Sequence, residues 1–362
     1  MRSKGWKWLF RQGTRYVKIL LSAYRGRTLT GPVSAVIALT YRCNLSCVMC
    51  DYPNRVRPDR GEMTTGQIKS LLDEIAALPV SGVSFYGGEP LLRTDLIELI
   101  EYARQFGLMI HLNTNGYLLD PIMAERIIGA GVDIVSLSLD GATPETHDRQ
   151  RRREGAFDKV IDAIGHLRAA RKSFNARTKI AVTATITPCN IEEIIQIVEL
   201  ARRIGADCVT VFEAQELETL PNAFTEAEKT QLLRINTALL TLKKKYPDFI
   251  DNSEAYLQIS RKILRGEETR LKCFAPYTDI FFDPYGKIYP CDPLLGRNKP
   301  FGAFRPGQLK DFWYSKTYQK KRDRLSNCGL CNHLCHRELS LVFNKLWFLP
   351  RPRISPDAIN TE

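Results

Sequence analysis

The strongest constraint on the fold is a repeated alternation, from residue 33 to about residue 213, between apolar strand-like runs and stretches with helical spacing. The strand-like runs are rich in β-branched residues and lie at residues 33–39, 83–86, 109–113, 132–139, 180–186 and 208–212. The helical patterns lie at residues 64–78, 95–106, from 121 onward, 157–172 and 191–204. This alternation predicts an α/β fold of six strand–helix units, give or take one, with buried parallel strands and right-handed crossovers.

Three closely spaced cysteines follow the first predicted strand, where a dinucleotide-binding fold would instead have a glycine-rich turn. Cys43, Cys47 and Cys50 are separated by three and two residues, and no fourth cysteine is nearby. Three thiolates can hold one iron–sulfur cluster and leave one iron with an open coordination position, as a catalytic cluster requires. The alternative is a zinc site or unrelated buried cysteines, although zinc sites more often show paired C-x-x-C motifs.

Composition and charge argue against a secreted disulfide-rich protein and against a membrane-spanning protein. The 362-residue chain has ten cysteines, most of them in two tight groups rather than spread as in a disulfide framework, which indicates a reducing, cytosolic compartment. No run of about 18 apolar residues predicts a membrane span. Residues 1–32 contain eight of the basic residues and no acid, so the net charge of +12 is concentrated at the start of the chain.

With its neighbouring motifs, the first cysteine group resembles the radical S-adenosylmethionine (SAM) superfamily over roughly residues 33 to 220. The signature is Cys43-Asn-Leu-Ser-Cys47-Val-Met-Cys50, followed after the second strand by Gly87-Gly88-Glu89-Pro90. The resemblance implies a partial (β/α)6 TIM-like barrel, a SAM-binding 4Fe-4S cluster and SAM itself. It also implies that an external donor such as flavodoxin or ferredoxin reduces the cluster, and that SAM is cleaved to a 5′-deoxyadenosyl radical.

The resemblance also assigns residues to SAM, and all of them follow predicted strand ends, where ligands of parallel α/β folds collect. Glu89 belongs to the motif that holds the SAM amino group. An arginine reaches the SAM carboxylate, and alignment on Gly155-Ala156-Phe157 favours Arg151 over its arginine neighbours. The full set of expected SAM-contacting residues is Met49, Gly87, Gly88, Glu89, Pro90, Asn113, Asn115, Ser138, Asp140, Arg151 and Asn190.

A second cysteine group lies near the C-terminus and resembles the SPASM domain found after the barrel in many radical SAM enzymes. Its five cysteines are fewer than the seven of a full SPASM domain and suit one auxiliary 4Fe-4S cluster, as in the shortened "twitch" version. Cys273, Cys291, Cys328 and Cys331 are the expected ligands, with Cys335 as a spare or alternative. The other interpretation is a zinc ribbon, in which His333 and His336 are candidate ligands.

These features divide the chain into five expected parts. They are a basic amphipathic segment (1–32), the radical SAM partial barrel (33–220), a helical connector (221–270), the auxiliary-cluster domain (271–338) and an apolar, basic tail (339–362). Trp6, Leu9 and Phe10 begin an apolar stripe in the first segment. Both end segments could pack on the barrel or on each other, or bind the inner membrane surface; nucleic-acid contact has no supporting motif.

The sequence predicts a radical SAM oxidoreductase or modifying enzyme whose substrate is less constrained. A small or lipid-linked molecule, such as a sugar, is favoured weakly by the basic amphipathic start and by the lack of a peptide-leader-binding domain before the barrel. A ribosomally made peptide is the alternative substrate, and a non-catalytic iron–sulfur sensor or assembly protein is the alternative function. Glu213, Glu216 and Asp292 are candidate substrate-side groups because they should lie near the open face of the barrel.

Overall fold

A computed structural model describes residues 6–214, 224–267, 269, 271–325 and 334–345. Within these residues the strands form one mixed sheet with the order β6-β5-β4-β3-β2-β1-β7-β8-β9. Their bounds are β1 Ser34–Thr40, β2 Gly82–Gly87, β3 Met109–Thr114, β4 Ile134–Ser138, β5 Lys179–Ile186, β6 Cys208–Glu213, β7 Asp279–Phe282, β8 Lys287–Tyr289 and β9 Gly302–Ala303.

The first six strands are parallel and lie side by side in chain order, as the alternating pattern predicts. Ala35 pairs with Val83 between β1 and β2, and Val182 pairs with Val209 between β5 and β6. Because parallel neighbours need crossover connections, helices return between the strands and cover the outer face of the sheet. This arrangement confirms the expected α/β class and brings the carboxyl ends of all six strands to one edge.

The helices supply the other side of the core. Their bounds are α1 Trp6–Arg25, α2 Thr65–Ala77, α3 Leu96–Arg104, α4 Pro121–Gly129, α5 Pro144–Arg151, α6 Ala156–Ser173, α7 Ile194–Arg203, α8 Glu226–Lys245, α9 Glu254–Leu264, α10 Ala275–Thr278, α11 Asp292–Gly296, α12 Leu309–Tyr314, α13 Lys316–Leu325 and α14 Leu334–Lys345. One large apolar cluster joins the strands to these helices, with Ile68 and Leu72 of α2 among its fully buried members.

Local sequence signals explain where several helices begin. The side chain of Thr64 accepts a hydrogen bond from the backbone N–H of Gln67, whose side chain in turn bonds the backbone N–H of Thr64. This reciprocal capping box satisfies donors that the first helical turn leaves without partners. Asp120 caps α4 in a similar way, immediately before Pro121 at the first helical position.

The C-terminal strands continue the same sheet rather than forming a separate one. β7 pairs in parallel with β1, through registers such as Ala35 with Ile280, and β8 and β9 follow antiparallel. The turn between β7 and β8 contains Gly286, which has a φ of 78° that favours glycine. Backbone hydrogen bonding therefore joins the residues expected to form the barrel to those expected to hold the auxiliary cluster.

The N-terminal helix packs on the C-terminal part of the chain. Ile19 and Ala23 of α1 are buried against Phe274, Tyr277 and Phe343, and the latter is on α14. The side chains of Trp6, Leu9 and Phe10 lie outside the described residues, as do Leu346 and Trp347. Among the described residues, the structure therefore shows the two end segments packed on each other. None of the described helices is long and apolar enough to span a membrane.

Candidate active site

The loop after β1 brings the first cysteine group to the carboxyl edge of the sheet. Cys43, Cys47 and Cys50 are partly buried and form no disulfide. The backbone N–H of Cys50 bonds the Cys47 carbonyl at 3.2 Å, and the N–H of Val48 bonds the Gln150 carbonyl at 2.9 Å. The loop that carries the three cysteines is therefore fixed both internally and to the end of α5.

Burial keeps the thiols of Cys43 and Cys50 protonated unless a metal binds them. It raises the pKa of Cys43 to about 11 and that of Cys50 to about 12. Neutral thiols are poor ligands, so binding of iron would displace their protons. The guanidinium of Arg151 lies 3.6 Å from the Cys47 sulfur and supplies a positive charge beside the group. This donor set suits an iron–sulfur cluster.

The Gly87-Gly88 pair lets a second loop lie directly on the cysteine loop. The backbone N–H of Gly88 bonds the Thr40 carbonyl at 2.7 Å, and the N–H of Glu89 bonds the Arg42 carbonyl at 2.9 Å. A Cβ on Gly88 would collide with the carbonyl oxygen of Arg42 and lie 2.7 Å from that of Tyr41. Only glycine permits this approach, which explains why the motif needs two glycines at the end of β2.

Glu89 is a fully buried carboxylate with three hydrogen-bond donors. It accepts from the backbone N–H of Leu91 at 3.0 Å, from the Thr114 hydroxyl at 2.7 Å and from the backbone N–H of Asn115 at 2.8 Å. Burial raises its pKa, and these hydrogen bonds act in the opposite direction. A buried carboxylate at a strand end can be compensated by an ammonium group, which is the charge that the SAM amino group would bring.

Arg151 is held by a buried ion pair that sequence reasoning did not anticipate. Its guanidinium contacts the carboxylate of Asp140, which is fully buried and also accepts the backbone N–H of Thr185 at 2.7 Å. Asp140 therefore lies behind Arg151 and orients it toward Cys47. The alternation of Ser136, Ser138 and Asp140 could have suggested a polar strand end, but the partner of Asp140 comes from a helix that begins several residues later.

The remaining expected SAM-contacting residues are spread around the same edge. Asn115 donates to Asn44 at 2.9 Å and lies 3.8 Å from the Cys43 sulfur, whereas Asn113 donates to Ser84 at 3.1 Å. Asn190 is buried, and its side-chain amide donates hydrogen bonds to the backbone carbonyls of Asp140 and Thr185. Ser138, Met49 and Pro90 also lie at this edge: Ser138 ends β4, Met49 is in the cysteine turn, and Pro90 starts a short 3₁₀ helix.

A cluster of aromatic rings, which no sequence motif predicted, joins the cysteine loop to the C-terminal strands. The Tyr52 and Tyr86 hydroxyls lie 3.2 and 3.4 Å from the same carboxylate oxygen of Asp292. Tyr52 is two residues beyond Cys50, and Tyr86 directly precedes Gly87. Asp292 therefore faces the cysteine edge. Of the other substrate-side candidates, Glu213 is buried, and its carboxylate accepts a hydrogen bond from the Tyr256 hydroxyl at 3.4 Å. Glu216 lies outside the described residues.

Only part of the second cysteine group is described. Cys273 and Cys291 are partly buried and form no disulfide, and Cys291 directly precedes α11. Cys328, Cys331 and His333 lie outside the described residues, as do the side chains of Cys335 and His336 in α14. Among the described residues, no three Cys, His, Asp or Glu side chains converge on a site for a single metal ion.

Comparisons with known proteins agree with this geometry. A model of the radical SAM superfamily matches residues 37–201, and a model of SPASM, an iron–sulfur cluster-binding domain, matches residues 273–336. The AdoMet-dependent heme synthase of Methanosarcina barkeri is 31% identical over 315 residues, which are 82% of this chain and 87% of the relative. The mycofactocin maturase MftC of Mycobacterium ulcerans is 36% identical over 314 residues, covering 84% of this chain and 81% of the relative.

Solved structures share the fold. Streptococcus suis SuiB bound to S-adenosylmethionine has a TM-score of 0.66 and 21% identity, covering 85% of this chain and 72% of SuiB. The structure titled native anSMEcpe with bound AdoMet has a TM-score of 0.62 and 17% identity, covering 87% of this chain and 97% of that protein. At these identities the likeness concerns the fold alone.

Proposed function

This chain belongs to the radical SAM superfamily and has a SPASM domain, and we propose that it uses the 5′-deoxyadenosyl radical to take hydrogen from a small, non-peptide substrate. The enzyme uses SAM, a 4Fe-4S cluster and an auxiliary iron–sulfur cluster. The observation that supports the proposal is the convergence of the cysteine loop, the Gly87-Gly88 loop and Arg151 at one strand edge. When bound, the reduced cluster and SAM supply the radical.

We propose Cys43, Cys47 and Cys50 as the ligands of the SAM-binding cluster, and Cys273, Cys291, Cys328 and Cys331 as those of the auxiliary cluster, with Cys335 as an alternative. Glu89 would bind the SAM ammonium group, and Arg151, oriented by Asp140, would bind the SAM carboxylate. Both charges are buried, so each is worth more than in water and discriminates strongly for a zwitterionic ligand. The two glycines hold the loops close enough for these charges to act on one molecule.

Asp292 is the group we propose for proton transfer from the substrate. Two tyrosine hydroxyls hold its carboxylate at the cysteine edge, and it follows Cys291, a proposed auxiliary-cluster ligand. Removal of a hydrogen atom leaves a substrate radical, which would release a proton on giving one further electron to the proposed auxiliary cluster as acceptor. A fixed carboxylate within reach would accept that proton, which is ordinary general-base work.

The named relatives support two candidate classes of substrate, a small molecule and a peptide. Relatives named heme synthase include that of Nitratidesulfovibrio vulgaris, 35% identical over 349 residues, and they favour a small molecule. The mycofactocin maturases support a ribosomally made peptide as the second candidate. We rank the small molecule first. As its probe we take Fe-coproporphyrin III, the compound named in a further relative, the Fe-coproporphyrin III synthase of Methanosarcina barkeri, which is 36% identical over 162 residues.

The experiment compares Fe-coproporphyrin III with a set of short peptides in the reconstituted, reduced enzyme. The expected result is that the porphyrin raises 5′-deoxyadenosine formation above the substrate-free rate and is itself converted, as mass spectrometry would show. Stimulation by a peptide, with modification of that peptide and none by the porphyrin, would reverse the ranking.

A variant separates the role of Asp292 from SAM cleavage. Asp292→Asn keeps the side-chain shape but removes the base, so substrate conversion should fall by about two orders of magnitude, the usual contribution of a general base. Substrate-free 5′-deoxyadenosine formation should stay as in the wild type. Asp311→Asn on the exposed part of α12 is the matched control. Equal conversion by Asp292→Asn and the control would remove Asp292 from the mechanism.

A further inference from the structure

A group of three cations lies on the surface where the loop after the cysteines meets the β7–β8 turn. The guanidinium carbons of Arg57 and Arg60 lie 5.9 and 5.8 Å from the centre of the Tyr285 ring. Lys287 begins β8 beside them. We call Arg57, Arg60 and Lys287 the basic patch. Among the described residues, none of its three cations has a carboxylate oxygen within 4.0 Å.

The cations of the basic patch are close enough to repel one another. Burial lowers the pKa of Lys287, and the charges of Arg57 and Arg60 lower it further against the opposing effect of Asp283. Holding like charges together costs stability, and an approaching negative surface would relieve that cost. Arg57 and Arg60 are exposed, so such a surface can reach them, and the single acid between them is Asp59.

Packed aromatic rings lead from the basic patch to the cysteine loop. The Tyr285 ring, which lies under the two arginines, is 5.9 Å from the Tyr41 ring, and the Tyr41 ring is 5.4 Å from the Tyr52 ring. Tyr41 precedes Cys43 by two residues, and Tyr52 follows Cys50 by two residues. Electron tunnelling weakens steeply with distance and with empty space, so a close-packed path of aromatic rings favours electron entry here.

We propose that the basic patch is the docking surface for an acidic, single-electron carrier protein of the flavodoxin or ferredoxin class. The carrier would give up one electron, which enters the enzyme at the cysteine loop, and leave in its oxidised form. Complementary charge would steer the encounter and set the carrier's redox group over Tyr285. This inference rests on the proposed function, because only an enzyme that cleaves SAM reductively needs such a donor.

The test measures binding of a purified bacterial flavodoxin to the reconstituted enzyme by titration calorimetry at low and at physiological ionic strength. The test variant is Arg57→Glu/Arg60→Glu. The matched control is Arg203→Glu/Lys244→Glu, which reverses two exposed cations. Arg203 is on α7, which packs against β6, and Lys244 is on α8, which packs against α7; β6 is at the opposite end of the sheet from β8. The wild type should bind more weakly as salt rises, because exposed charges are screened over about 10 Å at 0.1 M salt.

The patch variant should lose on the order of tenfold or more in affinity at low salt, and most of its salt dependence with it, whereas the control should bind like the wild type. SAM cleavage driven by dithionite, a small reductant that needs no docking, should be equal in all three proteins. Wild-type affinity in the patch variant, or no binding by the wild type, would overturn the docking surface. So would loss of dithionite-driven cleavage in the patch variant alone, because it would show that the two arginines support the SAM-binding site itself rather than a docking carrier. Absence of dithionite-driven cleavage in every protein would instead refute the proposed function.

Discussion

Replacing Gly88 with alanine tests whether the two loops of the active site need their close contact. The new Cβ would collide with the Arg42 carbonyl and lie 2.7 Å from the Tyr41 carbonyl oxygen. Optimal non-bonded contacts lie at roughly 3.5 Å or beyond, so the loops would have to separate by about 0.8 Å or more. Both obstructing groups are backbone and cannot rotate away.

The loss of stability in Gly88→Ala can be estimated from the contacts that this separation breaks. Overpacking costs about 1–3 kcal/mol, and the hydrogen bonds from Gly88 to Thr40 and from Glu89 to Arg42 contribute about 1 kcal/mol each. With both hydrogen bonds lost, we expect Gly88→Ala to lower the free energy of unfolding by about 3–5 kcal/mol. The same displacement moves Glu89 relative to the cysteines, and misplacement by about 1 Å can cost 100-fold in rate.

Two assays under anaerobic conditions check this prediction: denaturant unfolding, and dithionite-driven 5′-deoxyadenosine formation per bound cluster. The control is Gly165→Ala in α6, where a Cβ would meet nothing within 4 Å. Alanine is the better helix former by about 1 kcal/mol, so this control should be neutral or slightly stabilising. If Gly88→Ala behaves like Gly165→Ala in both assays, the loop contact does not position the site.

Two further predictions concern the buried charges behind the site. Asp140→Ala should lower the free energy of unfolding by about 3–5 kcal/mol, because it leaves Arg151 buried without its partner. The control is Asp162→Ala on the exposed face of α6, which should lower it little. Equal losses in the two variants, measured by denaturant unfolding, would contradict the role of the ion pair. Burial and the charge of Arg151 lower the pKa of His147 to about 3, and its Nδ1 accepts the backbone N–H of Asp140 at 3.1 Å. The unfolded chain therefore binds this proton near pH 6.5 while the folded chain does not, so stability should fall by up to about 1.4 kcal/mol per pH unit below pH 6.5. Denaturant unfolding between pH 7.5 and 5 should show this slope in the wild type and a smaller one in His147→Gln; identical slopes would refute it.

The parallel part of the fold was predictable because its signals are local. Each of the six strands appears as an apolar run of the right length, and helix starts such as Thr64 and Pro121 have their own sequence signature. The bounds differ by one or two residues, as with residues 132–139, which form a strand only over Ile134–Ser138. The end of a strand depends on its pairing with neighbouring strands, and the sequence of the strand alone does not determine that pairing.

The features that were missed depend on residues far apart in the chain. Nothing in residues 279–282 indicates that β7 pairs in parallel with β1 and extends the barrel sheet. The pairing of Asp140 with Arg151 and the convergence of Tyr52 and Tyr86 on Asp292 likewise require the fold to be known first. Motifs of neighbouring residues located the cysteine edge, whereas the groups that orient or surround it come from several elements.

The role of the first cysteine group is tested by comparing SAM cleavage in the reconstituted protein with that in the triple variant Cys43→Ala/Cys47→Ala/Cys50→Ala. Both proteins are assayed for iron and, under strong reductant, for 5′-deoxyadenosine. We expect the wild type to form 5′-deoxyadenosine, and the triple variant to form none and to lose one cluster's iron while keeping the other. A wild type that holds both clusters yet forms no 5′-deoxyadenosine, or a triple variant that forms it at the wild-type rate, would show that Cys43, Cys47 and Cys50 do not hold a SAM-cleaving cluster.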